Sequence, residues 1–362
     1  MRVVVKIGTS SVTARDGSVD AMAVGRLCDD VALVRSNGHG VVVVTSGAVT
    51  AGVAAAMALG GRPTDSVTLQ ALSAIGQPRL MRVYEDALAR SGLLAGQVLL
   101  APLDFAQRQR YLHARETLSR LLELGVVPIV NENDAVADDE LRFGDNDRLA
   151  ALVAHLLRAE LLVLLTDTVG LLSADPRRDA DATLIEEVTE IDHALEEAAG
   201  GPASEAARGG MASKLAAAKM ASWAGARVVI AAANRPGVLA DAVAGAPGVG
   251  TVFTAHKRSL SARKLWIAFA LRPIGRIVVD DGARRALTEH GRSLLPAGVV
   301  AVSGAFVADD AVELTGGDGA LFAKGIARLP SGRAGEWVGR RSSELPDDLA
   351  SEAVHRDDLV VL

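Results

Sequence analysis

Short apolar runs alternate with longer segments of helical periodicity over the first 270 or so residues. Most of the short runs are apolar on both faces, a pattern typical of parallel strands that helices cover on both sides. The alternation therefore predicts an α/β fold around a mainly parallel sheet. The predicted strands are Arg2–Val5, Val41–Val44, Gln97–Leu100, Val126–Val130, Leu161–Leu165 and Arg227–Ile230.

Two segments between these strands carry apolar residues at helical spacing, which predicts amphipathic helices packed on the sheet. The second of these helices is expected to begin near Arg148. One stripe consists of Met22, Val24, Leu27, Cys28, Val31 and Val34, and the other of Leu149, Leu152, Val153, Leu156 and Leu157.

The character of the sequence changes near Leu271, where short strand-like pieces separated by Gly, Asp and Pro begin. These pieces are Ile277–Val279, Gly298–Val302 and Ala311–Leu314, and they predict a small, mostly β module. A chain of 362 residues is also longer than one hydrophobic core usually supports. We therefore expect two domains, residues 1–270 and residues 275–362.

Composition and charge narrow the class of protein. Apolar residues make up 49% of the chain, as in a core-rich globular protein, and no apolar run is long enough to span a bilayer. The net charge of −6 provides no overall basic field, which argues against nucleic acid as a partner. The single cysteine, Cys28, excludes an internal disulfide framework, and no secretory leader is visible. These features predict a cytoplasmic protein.

Polar residues follow four of the predicted strands directly. In an open parallel sheet, ligands bind beyond the carboxyl ends of the strands, so these clusters are expected to meet at one crevice. A single polar strand end is more often an ordinary loop, but four of them indicate a site. The clusters are Lys6–Ser11, Thr45–Ala48, Asn131–Asp134 and Thr166–Thr168.

Two further segments place polar loops before helices. Asp145 and Asn146 precede one helix, where capping is the alternative to a functional role. Lys214 follows Gly209 and Gly210 into the first turn of another helix. A cation there opposes the helix dipole, so the arrangement indicates a bound anion such as a phosphate. The P-loop, dinucleotide-binding and protein-kinase signatures are absent.

These motifs, in this order and spacing, resemble those of the amino acid kinase family and, within it, the glutamate 5-kinase branch. After residue 275 the tail resembles a PUA domain. In one departure, Arg208 occupies a position where the family often has threonine. The matching motifs are Lys6-Ile7-Gly8-Thr9-Ser10, Thr45-Ser46-Gly47-Ala48, Asn131-Glu132-Asn133-Asp134, Gly144-Asp145-Asn146-Asp147, Thr166-Asp167, Gly209-Gly210-Met211-Ala212-Ser213-Lys214 and Asn234-Arg235-Pro236-Gly237.

The resemblance implies a three-layer amino acid kinase fold with a PUA-like domain, and phosphorylation of the L-glutamate γ-carboxylate by ATP and Mg²⁺. By resemblance, the catalytic residues would be Lys6, Lys214 and Asp147. The nucleotide would bind to Lys6, Gly8, Thr166, Asp167, Arg208, Gly209, Gly210, Met211, Ala212, Ser213 and Lys214. Glutamate would bind to Ser46, Gly47, Asn131, Asp134, Asp145 and Asn146.

The resemblance also implies a homo-oligomer, either dimer or tetramer, feedback inhibition by proline, and glutamate-5-semialdehyde dehydrogenase as a pathway partner. No metal cage made of protein side chains is visible in the sequence.

Two alternatives stay open. The acceptor could be aspartate or N-acetylglutamate, because the nucleotide motifs are shared across the family. The tail could instead bind RNA, as PUA modules elsewhere do. From Gly275 to Leu362, however, ten Lys and Arg stand against fourteen Asp and Glu, a net of −4, which lacks the basic footprint of RNA binding.

Overall fold

The computed structural model describes residues 1–56, 63, 65–136, 146–174, 179, 181–191, 195, 210–256, 260–271, 273–336, 338, 340 and 352–362. The chain divides into two compact units, Met1–Ser259 and Leu260–Leu362. This division lies N-terminal to the boundary predicted from the sequence. Within the described ranges, no helix is both long and apolar enough to cross a membrane.

The first unit is built on an eight-stranded sheet with the order β3-β4-β2-β1-β5-β7-β8-β6. The six strands from β3 to β7 in that order run parallel, and β8 is antiparallel to β7. All six strands predicted from the sequence are confirmed, whereas β6 and β8 were missed. The strands are β1 (Arg2–Ile7), β2 (Gly40–Val44), β3 (Ala95–Leu100), β4 (Val127–Glu132), β5 (Leu161–Thr166), β6 (Glu187–Val188), β7 (Arg227–Ala232) and β8 (Thr251–Phe253).

Helices cover both faces of this sheet, which confirms the predicted α/β architecture. One layer contains α2, α4 and α9, which pack on the face that carries Val3, Val5 and Ile7. The other layer contains α7 and α8, which contact each other and the sheet. The helices of this unit are α1 (Thr9–Val12), α2 (Ala21–Ser36), α3 (Ala48–Ala55), α4 (Ser66–Ala89), α5 (Pro102–Ala106), α6 (Arg108–Glu123), α7 (Asn146–Leu157), α8 (Met211–Trp223) and α9 (Val238–Ala244).

Both predicted helical stripes are buried, with one exception. Met22 is 73% exposed, so the stripe on α2 effectively starts at Val24. Cys28 lies within this stripe, and burial raises the pKa of its thiol to about 12, so it is a packing residue rather than a reactive one. Helix α7 begins at Asn146, two residues before the expected start, and it is buried almost all round.

Helices α3 and α4 cross at a point where their backbones touch. A Cβ built on Gly76 would stand 1.8 Å from the carbonyl oxygen of Ala48, and one built on Gly52 would stand 1.9 Å from the carbonyl oxygen of Leu72. Only glycine fits at either position. This close approach brings the segment after β2 against the middle of α4, next to Gln77.

The second unit contains a five-stranded sheet with the order β10-β9-β11-β12-β13. Its core includes Ile277, Leu314 and Phe322. The three predicted strands are confirmed, and β12 and β13 were missed. The elements are β9 (Gly275–Val279), β10 (Val299–Ser303), β11 (Ala311–Thr315), β12 (Leu321–Ala327) and β13 (Val354–Val361), with the helices α10 (Ala262–Leu265), α11 (Asp281–Thr288) and α12 (Ser331–Glu336).

We predict that Gly76→Ala destabilises the protein by about 1 to 3 kcal/mol, because the new methyl group forces α3 and α4 apart. Thermal or urea unfolding measures the effect. Gly40→Ala is the matched control, since its Cβ would lie 3.6 Å from the side chain of Leu122, an ordinary contact. Equal stability of the two variants would contradict the assigned crossing.

Candidate active site

The strand ends named in the sequence analysis lie at one edge of the sheet. Lys6 on β1 is in register with Val44 on β2 and with Leu164 on β5. Val44 in turn is in register with Val130 on β4. The polar residues that end or follow these strands therefore emerge at the same level, beyond the carboxyl ends of the central strands.

Two lysines meet one carboxylate at this edge. Lys6 Nζ lies 2.6 Å from Asp147 Oδ1, and Lys214 Nζ lies 3.2 Å from Asp147 Oδ2. The three side chains are almost fully buried, with 4%, 6% and 0% of the Lys6, Lys214 and Asp147 side chains exposed. Strand β1, helix α8 and the first turn of α7 each contribute one residue. We call these three residues the lysine–aspartate cluster.

The cluster carries an excess of positive charge in a place that water hardly reaches. Two ammonium groups face one carboxylate, so their side-chain charges sum to +1. Removing charged groups from water is costly unless opposite charge and hydrogen bonds compensate. An anion placed beside the lysines would be attracted by both ammonium groups. The cluster is therefore suited to bind a phosphate group.

Gly8 and Ser213 shape the surroundings of the cluster. A Cβ on Gly8 would lie 3.6 Å from Lys6 Nζ, so glycine keeps space open beside this ammonium group. The Ser213 hydroxyl lies 3.5 Å from Asp147 Oδ2, at the limit of a hydrogen bond. Gly210 is the N-cap of α8 in an extended conformation, and Met211, Ala212 and Ser213 form its first turn.

A network of side-chain amides lies next to the cluster, because Asn146 precedes Asp147 on α7. Asn146 Nδ2 donates to the Thr45 carbonyl oxygen at 2.6 Å, to Asn131 Oδ1 at 2.7 Å and to Ser46 Oγ at 3.0 Å. The side chain thus ties the ends of β2 and β4 to the start of α7. The Asn146 side chain therefore bonds to residues at or just beyond the ends of neighbouring strands. It does not act as a simple helix cap.

The turn after β2 requires glycine. Gly47 has a φ of +100°, which disfavours other residues, and a Cβ there would meet Val12 Cγ2 at 3.2 Å. This turn starts α3 and holds Ser46 within reach of Asn146. Asp134 is half-buried in a short 3-10 turn, Asp134–Val136, that packs on α4.

The remaining predicted site residues are placed as follows. Thr166 is buried at the end of β5, and its hydroxyl donates to Asp167 Oδ1 at 3.1 Å. Asp167 itself is exposed. Asp145, Arg208 and Gly209 lie outside the described residues.

Gln77, a buried amide on α4, was not among the predicted site residues. Its Oε1 accepts a hydrogen bond from Asn131 Nδ2 at 2.9 Å, so it extends the amide network by one member. The signal was present in the sequence. Gln77 falls on the buried face of α4 that Ser73, Leu80 and Tyr84 share, where an apolar residue would be the ordinary choice.

The described residues contain no cluster of three or more His, Cys, Asp or Glu side chains that could hold a metal ion. Both oxygens of Asp147 already face ammonium groups. Among the described residues, this donor set would fit a divalent cation that arrives as a complex with the phosphates of a nucleotide, the way in which proteins usually bind Mg²⁺.

Comparisons with known proteins identify the family of the chain. The amino acid kinase family model matches residues 1–232, and the PUA domain model matches residues 275–347. The chain is 45% identical to a glutamate 5-kinase from Pelobacter propionicus over 365 aligned residues, which cover 100% of this chain and 97% of that protein.

A second relative and one solved structure are also similar to this chain. A glutamate 5-kinase from Mycobacterium avium is 44% identical, with 99% of this chain and 96% of that protein covered. One solved structure of an isopentenyl phosphate kinase aligns with 70% of this chain and 100% of its own, at 20% identity and a TM-score of 0.49.

We predict that Asp147→Asn lowers the free energy of unfolding by about 3 to 5 kcal/mol, because two buried ammonium groups lose their compensating charge. Urea unfolding measures the loss, and added inorganic phosphate should restore part of it. Asp241→Asn is the control. It breaks a half-exposed pair, Arg235 Nη2 to Asp241 Oδ2 at 2.7 Å, worth at most about 1 kcal/mol. Similar losses in both variants would contradict the prediction.

Proposed function

Because the chain belongs to the glutamate 5-kinase branch of the amino acid kinase family, we propose that its lysine–aspartate cluster directs phosphoryl transfer from ATP to L-glutamate. The enzyme converts L-glutamate and ATP to L-glutamyl 5-phosphate and ADP, the first step of proline biosynthesis. The observation that carries the residue assignment is the burial of Lys6 and Lys214 on opposite oxygens of Asp147.

The acceptor needs no general base. A glutamate side chain has an ordinary pKa of about 4.3, so near neutral pH the attacking oxygen is already anionic. The obstacle is repulsion between this carboxylate and the negatively charged γ-phosphoryl group. Catalysis must therefore come mainly from positioning the two substrates and from positive charge around the transferring group.

Lys6 and Lys214 supply that charge. Asp147 fixes both ammonium groups before the substrates arrive, so little reorganisation is needed as charge shifts from the γ-phosphoryl group toward ADP. Donors fixed in a water-poor site are worth much more than the same groups in solvent. Mg²⁺ bound to the ATP phosphates would neutralise further charge. Gly8, Thr166, Asp167 and the segment from Arg208 to Ser213 complete the proposed nucleotide site.

Glutamate occupies the side of the site that the amide network forms. Ser46 and Asn146 are hydrogen-bonded to each other at this edge. Asp134 carries the charge that the α-ammonium group of a free amino acid requires. Since Asn146 and Asp147 are consecutive on α7, the amino acid and the phosphoryl group would meet at the start of one helix. The full proposed set is Ser46, Gly47, Asn131, Asp134, Asp145 and Asn146.

We further propose, on the family alone, that the enzyme acts in the cytoplasm as a homo-oligomer, that proline inhibits it, and that its product passes to glutamate-5-semialdehyde dehydrogenase.

Trapping of an acyl phosphate tests the reaction. The protein is incubated with ATP, Mg²⁺ and hydroxylamine, and hydroxamate formation is compared for L-glutamate, L-aspartate and N-acetyl-L-glutamate. We expect hydroxamate with L-glutamate at a kcat/KM at least about a hundredfold above that of the other two acceptors, because the site recognises both a free ammonium group and the longer side chain. Faster reaction with either competitor would contradict the assigned acceptor.

We predict that Lys214→Ala lowers kcat by a factor of about 10² to 10³, the usual cost of one charge contact in the transition state. The hydroxamate assay measures kcat at saturating substrates. Lys219→Ala is the control, because it removes a lysine from the same helix five residues further on, at a different angle around the axis. If Lys214→Ala turns over like Lys219→Ala, the role assigned to Lys214 is wrong.

A further inference from the structure

Backbone groups fix the orientation of the Asn131 and Asn146 amides, and Asn131 in turn fixes that of Gln77. The Glu132 backbone N–H donates to Asn131 Oδ1 at 3.0 Å, so this atom must be the oxygen. Asn131 Nδ2 is then the donor, and the Gln77 atom that it contacts must be Oε1. Likewise, Asn146 Nδ2 donates to the backbone carbonyl of Thr45, which fixes that amide. Neither asparagine amide can be turned over without breaking a bond to the main chain, and turning the Gln77 amide would bring its Nε2 donor against the Asn131 Nδ2 donor.

This arrangement leaves two buried polar atoms without a hydrogen-bond partner among the described residues. They are Gln77 Nε2, a donor, and Asn146 Oδ1, an acceptor. Gln77 is 7% exposed and Asn146 is 8% exposed, so bulk water does not easily satisfy either atom. Leaving such a group unpaired costs about 1 to 3 kcal/mol, so a bound partner at each atom would be stabilising.

The two atoms differ in hydrogen-bonding character, and this difference matches a free amino acid. A carboxylate accepts hydrogen bonds and needs a donor such as Gln77 Nε2. An ammonium group donates and can use an acceptor such as Asn146 Oδ1. Gln77 also lies on α4, against which the turn containing Asp134 packs. The Gln77 amide therefore lies on the amino-acid side of the site and not in the lysine–aspartate cluster.

We infer that Gln77 is a further substrate-binding residue, whose Nε2 donates a hydrogen bond to a carboxylate oxygen of the bound L-glutamate. Its Oε1 is engaged by Asn131, so one amide both anchors the network and binds substrate. The crossing of α3 and α4 at Gly76 places it there. The inference rests on the proposed function, because it takes L-glutamate as the occupant of the site.

Gln77→Glu removes the Nε2 donor but keeps an oxygen that accepts a hydrogen bond from Asn131. The introduced carboxyl still accepts from Asn131 Nδ2, but when ionised it has no hydrogen to offer and repels the substrate carboxylate. At pH 8.5 we expect the KM for L-glutamate to rise by a factor of about ten to a hundred, the loss associated with a hydrogen bond to a charged group. The KM for ATP and the value of kcat should change by less than about threefold.

The pH dependence of the glutamate KM distinguishes a lost hydrogen bond from a packing defect, because a packing defect would not recover at lower pH. Burial raises the pKa of a carboxyl group, and the protonated form regains a donor hydrogen. Between pH 8.5 and pH 6.0 the glutamate KM of Gln77→Glu should therefore fall toward that of the unmodified enzyme. Gln109→Glu makes the same chemical change on the exposed surface of α6 and should show neither the rise nor the recovery.

The outcomes separate this inference from the proposed function. If the unmodified enzyme forms no hydroxamate from glutamate, the proposed function fails. If it does and Gln77→Glu has an unchanged glutamate KM at pH 8.5, or a raised KM that is the same at both pH values, Gln77 is not a donor to the substrate. Should Gln77→Glu fail to fold, Gln77→Met is measured instead, and an unchanged glutamate KM in that variant overturns the inference.

Discussion

The contact of Asp147 with two buried lysines is the interaction on which the site depends. A carboxylate with no exposed surface holds an ammonium group on each oxygen, and the three residues come from β1, α7 and α8. Their convergence needs the central strands in register and α7 packed against β1 and β5. The two ammonium groups concentrate positive charge beside one carboxylate, and in the proposed function this charge attracts the transferring phosphoryl group.

In the proposed function, the start of α7 connects the glutamate side and the phosphate side of the site. Asn146 is tied to the ends of β2 and β4, and Asp147 to β1 and α8. Because these residues are neighbours in one buried helix, the amino-acid side and the phosphate side cannot shift independently by much. Leu149, Leu152 and Val153 anchor the helix in the core. Rigid placement of both substrates is what a reaction limited by charge repulsion requires.

The apolar runs and the family motifs in the sequence predicted most of the central strands and the three residues of the lysine–aspartate cluster. Apolar runs such as Leu161–Leu165 indicate strands because burial on both faces leaves a continuous signal, and the family motifs point to Lys6, Asp147 and Lys214. The strands β6 and β8 were missed because they have only two and three residues. Gln77 was missed for a different reason. The sequence shows that a polar residue lies on the buried face of α4, but the position of Gln77 at the site depends on the contact of α3 with α4 at Gly52 and Gly76, which no periodicity within α4 reveals.

The most direct test of the account is a crystal structure with a non-hydrolysable ATP analogue, Mg²⁺ and L-glutamate bound. The account predicts that Lys6 Nζ and Lys214 Nζ both lie within about 3 Å of oxygens on the terminal phosphate, the distance of a charged hydrogen bond. It also predicts that the γ-carboxylate of glutamate lies in line with that phosphate, on the side of Asn146. A terminal phosphate bound away from Asp147, or contacted by neither lysine, would contradict it.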